Sequence, residues 1–346
     1  MQKSTRMKTR KKRPNRRQVC SLLVSGVAMP FVGLGKAIGA GAKDGEAILP
    51  ALTLWGPPAG PSITLAHAIS AGYLEGIAGK LTFKAWRNPD EMRAGLTSGT
   101  MQVVIVPTQV AANLFNRGLG VRLVNVMTDG LLYIIARDAS LTTIAALRGK
   151  KVAVPFRNDT PEFIFRRLLM ANTMKAGADL TVETTGTPIE AMQLLLAGRI
   201  DAAVVPEPAA SAAIARGTLT LNFVTRVMDV QKLWREITKS DHSLPQAGLA
   251  VTSAFADKHP DIVRRLQAGL VKATASVLES PTSAAYGGSS ALDLPWPILR
   301  LSIPWSNLVC HAARDARPSL EAMYAVIAEA DASLLGGKLP AAEFYM

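Results

Sequence analysis

The stretch LTLWGPPAGPS at residues 52–62, followed by ITLAHAISAGY at 63–73, decides how the rest of the chain is read. A β-prone apolar run enters a Gly/Pro turn, and Ser62 then stands ahead of the helical pattern Ile63, Leu65, Ala66 and Ile69. The segment therefore predicts a strand, a loop and a helix capped by Ser62. The unpaired N–H groups of such a first turn favour anions, and Trp55 with the neighbouring prolines gives the loop a stiff, partly aromatic wall. The same arrangement opens many α/β domains, so on its own it predicts architecture as readily as ligand binding.

The chain repeats the arrangement at an offset of 99 positions. KVAVPFRNDT at 151–160 leads into the helical spacing of Phe163, Ile164, Phe165, Leu168 and Leu169. At the same offset GTMQVVIVP at 99–107 aligns with GRIDAAVVP at 198–206, Gly on Gly, Met101 on Ile200 and Pro107 on Pro206. Two copies at so long a period exclude a solenoid and predict two α/β lobes of similar build facing each other across a cleft.

With 346 residues, 49% hydrophobic and 19% charged, the chain can bury more than one core. The formal net charge of +13 is uneven: ten Lys and Arg and no acid precede Lys43, leaving 29 of the 39 bases against 26 acids, a net of +3. Without its leader the chain has no basic stripe with interleaved aromatics, so no nucleic-acid partner is expected. The leader reads as an export signal: a polybasic start, a moderately apolar run at 19–34 broken by Pro30, and Ala40-Gly41-Ala42 at the cleavage position. Arg16-Arg17 resembles the twin-arginine class, although Gln18-Val19 departs from its usual continuation, so general secretion stays open. The apolar run is too short for a membrane span, and Cys20 lacks a lipoprotein box. Cleavage leaves Cys310 as the single cysteine, which excludes an internal disulfide; beside His311 it reads as a buried thiol next to a surface histidine.

Alternating patterns continue through both halves, predicting strands near 81–86, 101–106, 182–185, 202–205 and 247–252 and helices over 89–98, 108–116, 188–197 and 260–280. The β-prone run at 121–136, broken at Thr128-Asp129-Gly130, predicts the first crossing between lobes, and Leu221 to Val227 the return crossing. The Ser-, Gly- and Pro-rich segment 282–304 predicts an irregular excursion, and the aromatic tail predicts packing of Phe344 and Tyr345 against the body. The domain reading is a signal peptide at 1–42, a first lobe of 43–130 plus 235–346, and a second lobe of 131–234.

AALRGKKVAVP at 145–155, LLLAGRIDAAVVP at 194–206 and GKLP at 337–340 with Phe344-Tyr345 together resemble the periplasmic substrate-binding proteins of ABC importers. The branch is the one that includes the nitrate, sulfonate, taurine and thiamine-precursor binders, the SsuA/NMT1-like proteins. The resemblance implies an α/β fold of the type II periplasmic binding protein kind, two lobes with a ligand cleft between them. It implies binding rather than catalysis, no cofactor, and a periplasmic monomer that delivers a small-molecule ligand to an ABC permease with its ATPase, touching the membrane only through that permease. The candidate ligand residues are Trp55, Pro57 and Ser62 in the first loop, Thr108 after the third strand, Arg157, Asn158 and Thr160 in the second-lobe loop, and Glu207 after Pro206. Trp305, Ser306 and Asn307 are further candidates.

Arg157 with two helix N-termini favours a carboxylate, sulfonate or oxyanion, and Trp55 with its prolines favours an organic body; an organic acid or sulfonate satisfies both. The same residues have plainer readings, since Ser62, Thr108 and Thr160 fit helix caps and Glu207 fits a helix first turn. An enzyme on the same fold, of the pyrimidine-precursor or menaquinone-pathway type, is the alternative. The four scattered histidines and the absence of a cysteine cluster or a metal or triad spacing argue against it. A ligand-sensing module is the third reading.

Overall fold

The computed structural model describes residues 49–346; the leader, its Arg16-Arg17 pair, Cys20 and the cleavage position lie outside the described residues. From Leu52 the first lobe runs β1 (Leu52–Gly56), α1 (Gly60–Ser70), β2 (Leu81–Ala85), α2 (Pro89–Ser98), β3 (Val103–Pro107), α3 (Thr108–Asn116), β4 (Val121–Leu123) and β5 (Asn125–Thr128). The second lobe runs β6 (Leu132–Ala136), β7 (Lys151–Pro155), α4 (Thr160–Ala171), β8 (Thr181–Thr185), α5 (Pro188–Leu196), β9 (Ala202–Pro206), α6 (Ala209–Leu219), β10 (Thr225–Asp229) and α7 (Val230–Thr238). The chain then returns through β11 (Ala247–Thr252), α8 (Ser253–Lys258), α9 (Pro260–Glu279), α10 (Pro281–Leu292), α11 (Trp296–Ser302), β12 (Leu308–Ala312) and α12 (Arg317–Asp331).

The repeat is physical as well as textual. Asn88 caps α2 by accepting from the Glu91 N–H at 2.9 Å, and Thr187 caps α5 by accepting from the Glu190 N–H at 3.1 Å. Each glutamate reaches back to a loop N–H, Glu91 to Arg87 and Glu190 to Gly186, both at 2.7 Å. Each helix also has proline at its first position, and a left-handed glycine, Gly99 or Gly198, follows it. Two short helices of ordinary propensity are thus held at both ends by local hydrogen bonds and by residues suited to those backbone angles.

Two sheets result. The first has seven strands in the order β12-β5-β11-β3-β1-β2, with β4 also on β11; the second has five in the order β10-β6-β9-β7-β8. In each, a parallel trio (β2-β1-β3 and β8-β7-β9) meets an antiparallel neighbour, β11 on β3 and β6 on β9. Helices cover both faces, as parallel strands buried on two sides require. Leu54, Ile105 and Leu249 pack with Leu65 and Leu266 on one face of the first sheet. Val104 and Val106 pack on the other with Met92, Leu320 and the fully buried Tyr324. The second sheet buries Ala153 and Val205 against Leu195 and Ala213, and Val152 and Val204 against Phe165 and Trp234.

Several expectations change. The α1 helix begins at Gly60 with Ala59 as its cap, so Ser62 is in the first turn and does not cap it. Pro61 is pre-set for a first turn, which draws the start upstream. The run expected to be the return crossing contains β10, an edge strand antiparallel to β6. The return follows α7, because the β-prone pattern alone does not distinguish an edge strand from a connector. Segment 282–304 is largely helical, in α10 and α11. Its glycines lower helix propensity but allow close packing: a Cβ at Gly287 would stand 2.5 Å from Ser70 Oγ on α1. Cys310 and His311 alternate on a strand, the thiol half-buried with its pKa pushed up to about 11 by desolvation. The tail packs as expected, with Phe344 buried, Tyr345 bridged to Leu123 and the Met346 N–H donating to the Leu123 carbonyl at 3.0 Å.

The join between β4 and β5 sets one steep requirement. Asn125 passes so close over β11 that a Cβ at Gly248 would stand 1.9 Å from its carbonyl oxygen. Gly248→Ala is expected to destabilise the chain by about 3 kcal/mol, the upper range for overpacking a rigid neighbour. Urea unfolding measures it, and a loss below about 1 kcal/mol would mean that the β4–β5 join moves freely.

Candidate functional site

The loops after β1, β2 and β3 and those after β7, β8 and β9 lie at the carboxyl ends of the two parallel trios, where α/β sheets present their ligand-facing backbone. The two sets meet. The Gly60 N–H donates to the Glu207 carbonyl at 3.1 Å, Gln109 Nε2 donates to Thr160 Oγ1 at 3.2 Å, and Arg93 pairs with Asp159 at 3.0 Å. The lobes are therefore in contact.

Two buried glutamines hold the crossings. Gln246 Oε1 accepts the Leu131 N–H at 3.2 Å, and Gln231 Oε1 accepts the Leu132 N–H at 3.1 Å. The first crossing thus runs through Asp129–Leu131, with its polar backbone satisfied by side chains of the returning chain.

The candidate residues divide by what they do. Trp55 is half-buried with Lys84 Nζ 5.5 Å from its ring centroid, and the half-buried Pro57 accepts the Ala59 N–H at 2.8 Å. Ser62 is fully buried and its hydroxyl has no partner. Thr108, also fully buried, donates to the Pro245 carbonyl at 2.6 Å. Thr160 takes part in the contact between lobes, beside the cap Asp159. Arg157 is exposed and borders a separate surface groove with Glu162, Arg166 and Thr184. Asn158 is exposed, its N–H donating to Glu162 at 2.6 Å.

Glu207 is fully buried and committed to protein partners: Arg226 Nε donates to it at 2.8 Å and the Ser211 N–H at 3.1 Å. Burial raises its pKa against the opposing pull of Arg226. The Arg226 guanidinium lies over the rings of Trp305, 4.3 Å to its centroid, and Tyr133, whose hydroxyl donates to the Trp305 carbonyl at 2.8 Å. Burial lifts the Tyr133 pKa to about 12. Trp305 thus joins the lobes, Ser306 is buried, and Asn307 donates to the Gly130 carbonyl at the first crossing at 2.7 Å.

Beside these contacts a cavity of about 660 Å³ opens between the lobes. The loops contribute Pro58, Arg87, Phe156, Thr187 and Pro208; α5 and α6 contribute Met192 and Arg216 among others, and α10 and α11 close the far side with Leu292 and Ile298. The volume falls in the small-molecule range. Residues adjacent to the candidates line it: Pro58 beside Pro57, Phe156 beside Arg157, Pro208 beside Glu207. Phe156 and Asn158 have left-handed backbones, φ 62° and 59°, and the loop presents Phe156 to the cavity while Arg157 borders the other groove. Arg87 had a sequence signal, since it occupies the loop after the second strand of the same repeat. Gln231, Gln246 and the α10–α11 wall had none. Among the described residues no group of three or more His, Cys, Asp or Glu is placed to hold a metal ion, and no helix is long and apolar enough to cross a membrane.

The sequence matches the NMT1-like family over residues 78–286, more than half of the chain and including most of both parallel trios. The chain belongs to the NMT1-like family. No curated protein matches this NMT1-like chain by sequence. Among solved structures it is similar to an ABC transporter from Parabacteroides distasonis, with TM-score 0.70 and 18% identity over 86% of this chain and 99% of that one. It is also similar to the periplasmic aliphatic sulphonate binding protein SsuA from Escherichia coli, with TM-score 0.66 and 18% identity over 84% and 94%. A third is the periplasmic nitrate-binding protein NrtA from Synechocystis PCC 6803, at 0.57 and 15% over 72% and 69%. The shared feature is the fold, the two-lobed α/β architecture of type II periplasmic binding proteins.

Proposed function

We propose that this chain is the extracytoplasmic solute-binding component of an ABC importer, which closes its lobes on a small organic or inorganic anion and presents it to a permease and its ATPase. The observation that carries the reading is the cavity of about 660 Å³ bounded by loops of both lobes, beside the crossings between the two sheets. Only an enclosed solute touches both walls, so its binding energy becomes closure, and closure is what a permease reads. The basic leader supports a periplasmic location, and the similar sulphonate- and nitrate-binding proteins support an anion as the class of solute. Catalysis is not part of the proposal, because the polar groups nearest the contact between lobes, Glu207, Thr108 and Asp159, are occupied in holding the fold.

A thermal-shift screen of the purified chain against sulfonates, carboxylates, inorganic anions and vitamin precursors tests it. A solute at a hundred times its Kd adds about 2.7 kcal/mol, enough to raise Tm by several degrees in a dose-dependent way. Turnover of a compound that gives no such shift would favour the enzyme.

A further inference from the structure

We infer that the end of the second lobe opposite the cleft is a docking surface for an anionic phospholipid leaflet, with Leu219, Leu221 and Phe223 entering the acyl boundary and the surrounding lysines and arginines meeting the headgroups. This contact with the membrane does not pass through a permease, and it depends neither on the solute nor on the importer reading.

Register fixes the place. Thr225, Ala136, Ala202, Val152 and Val182 stand side by side across the second sheet, at the end where β7, β8 and β9 begin, and the cleft loops follow the other end. The turn from α6 into β10 closes this end and carries three large apolar side chains in five residues: Leu219 is 85% exposed, Leu221 78% and Phe223 60%. Leu219 also borders the cavity; Leu221 and Phe223 do not. The turn is pinned in that pose. The Asn222 N–H donates to the Gly217 carbonyl at 2.9 Å, and a Cβ at Gly217 would stand 2.5 Å from the Asn222 carbonyl oxygen. Leu221 has a left-handed backbone, φ 56°, and Val224 takes the inward place, leaving Phe223 turned out. Apolar surface held outward by its backbone is unfavourable until something covers it.

The charges say what covers it. The connections at this end, residues 137–151, 172–180, 197–201 and 216–224, hold seven bases against three acids, a net of +4. The acids are turned to the protein: Asp138 accepts the Ser140 N–H at 2.9 Å, Asp179 the Lys175 N–H at 2.8 Å, and Asp201 the Lys151 N–H at 2.7 Å. The bases face solvent. Among the described residues Arg148, on Asp179, is the one of the seven in an ion pair, and Arg137, Lys151, Arg199 and Arg216 are exposed. A leaflet with anionic headgroups over an apolar interior meets both features at once, and each base near such a surface adds to the attraction. A second copy on the same patch would set +4 against +4. An acidic protein would match the charge, yet three side chains projecting from one turn demand a deep apolar receptor, which a leaflet supplies without any matching shape.

The test is flotation of the full chain with vesicles of equal parts phosphatidylglycerol and phosphatidylcholine, against vesicles of phosphatidylcholine alone. The basic leader also attracts anionic lipid, so the site is read separately by Phe223→Trp, whose emission should be quenched by brominated acyl chains beyond the background of the five native tryptophans. Leu221→Asn with Phe223→Ser removes apolar surface at unchanged charge, and asparagine tolerates the left-handed backbone. This pair is expected to weaken binding about 30-fold. Lys151→Gln with Arg199→Gln, both at exposed positions, is expected to weaken it about tenfold at low salt and far less at about 0.5 M salt. The Phe223→Trp signal decides the matter even where a double variant loses stability. Vesicle binding without quenching at position 223 would overturn the inference and leave the attachment to the leader, and absence of vesicle binding would overturn it outright. Equal quenching by phosphatidylcholine vesicles would overturn the role of the charges. Shielding of position 223 by polyglutamate but not by vesicles would overturn it in favour of an acidic protein, and self-association abolished by Leu221→Asn with Phe223→Ser, without lipid binding, in favour of a second copy.

Discussion

Arg226→Ala is expected to lower the unfolding free energy by about 3–5 kcal/mol, the range for stranding one partner of a buried ion pair. The Glu207 side chain is fully buried and that of Arg226 is 14% exposed. Arg226 is the only full positive charge reaching that carboxylate among the described contacts, and its Nη2 also donates to Ser211 Oγ at 2.7 Å. The guanidinium lies over Trp305 as well, so the loss includes a stacked cation and a contact that joins the lobes. Lysine does not repair it, because an ammonium cannot bridge a carboxylate and a hydroxyl while lying flat on an indole.

The pH dependence has a definite sign. Burial already raises the pKa of Glu207, and removal of Arg226 raises it further. An acid whose folded pKa is raised gives stability at low pH that is lost as pH rises through the folded value. The variant's deficit should therefore shrink as pH falls from neutrality through that raised value towards the ordinary glutamate range. Urea unfolding of Arg226→Ala and of Glu207→Gln with Arg226→Met, at pH 7 and pH 5, separates the terms. The double variant should recover much of the loss at pH 7. A single-variant loss below about 1 kcal/mol would mean that water reaches Glu207.

How much of this was legible follows from the physics of each element. The parallel trios were, because strand, loop and capped helix are local structures and recur at one offset, down to Asn88-Pro89 against Thr187-Pro188 and Gly99 against Gly198. Helices α10 and α11 were not, because their stability comes from packing: Gly288 and Leu299 belong to a helix pair resting on Ile63, and Gly287 lets α1 approach. The strand β10 looked like a connector because its pairing partner, β6, lies some ninety residues earlier. In the site the loops were legible and the facing of each side chain was not. A left-handed Phe156 or an Arg226 folded onto Glu207 depends on contacts that one loop's sequence does not contain. The charge most plainly written in the second-lobe loop, Arg157, borders a groove apart from the cavity.

The second large effect concerns closure. Asp159 caps α4 in the second lobe and is 2% exposed, and its Oδ2 receives Arg93 from α2 of the first lobe at 3.0 Å. Its Oδ1 takes the Thr160 N–H at 2.6 Å, a bond local to the second lobe that survives opening. Only the Arg93 contact depends on closure. In Arg93→Ala the closed state would bury a carboxylate without its counter-charge, whereas in an open state water would solvate it. The full cost of stranding a buried charge is reduced here, since Arg93 is 33% exposed and the Thr160 bonds remain. A penalty of about 2 kcal/mol on the closed state alone would shift the closing equilibrium by about 30-fold and weaken any enclosed solute by the same factor. Burial raises the Asp159 pKa against the pull of Arg93. An open state that wets Asp159 would restore its ordinary pKa, so closing would take up protons and acidification through the raised value would favour the closed form. Small-angle scattering of the solute-free chain reads the result directly: Arg93→Ala should be more extended than the parent at pH 7 and approach it as the pH falls. An unchanged profile at both pH values would show that the Arg93–Asp159 pair does not govern closure, and the lobes would then be held together by the Arg226–Trp305 contact and the packing of α11 on α6.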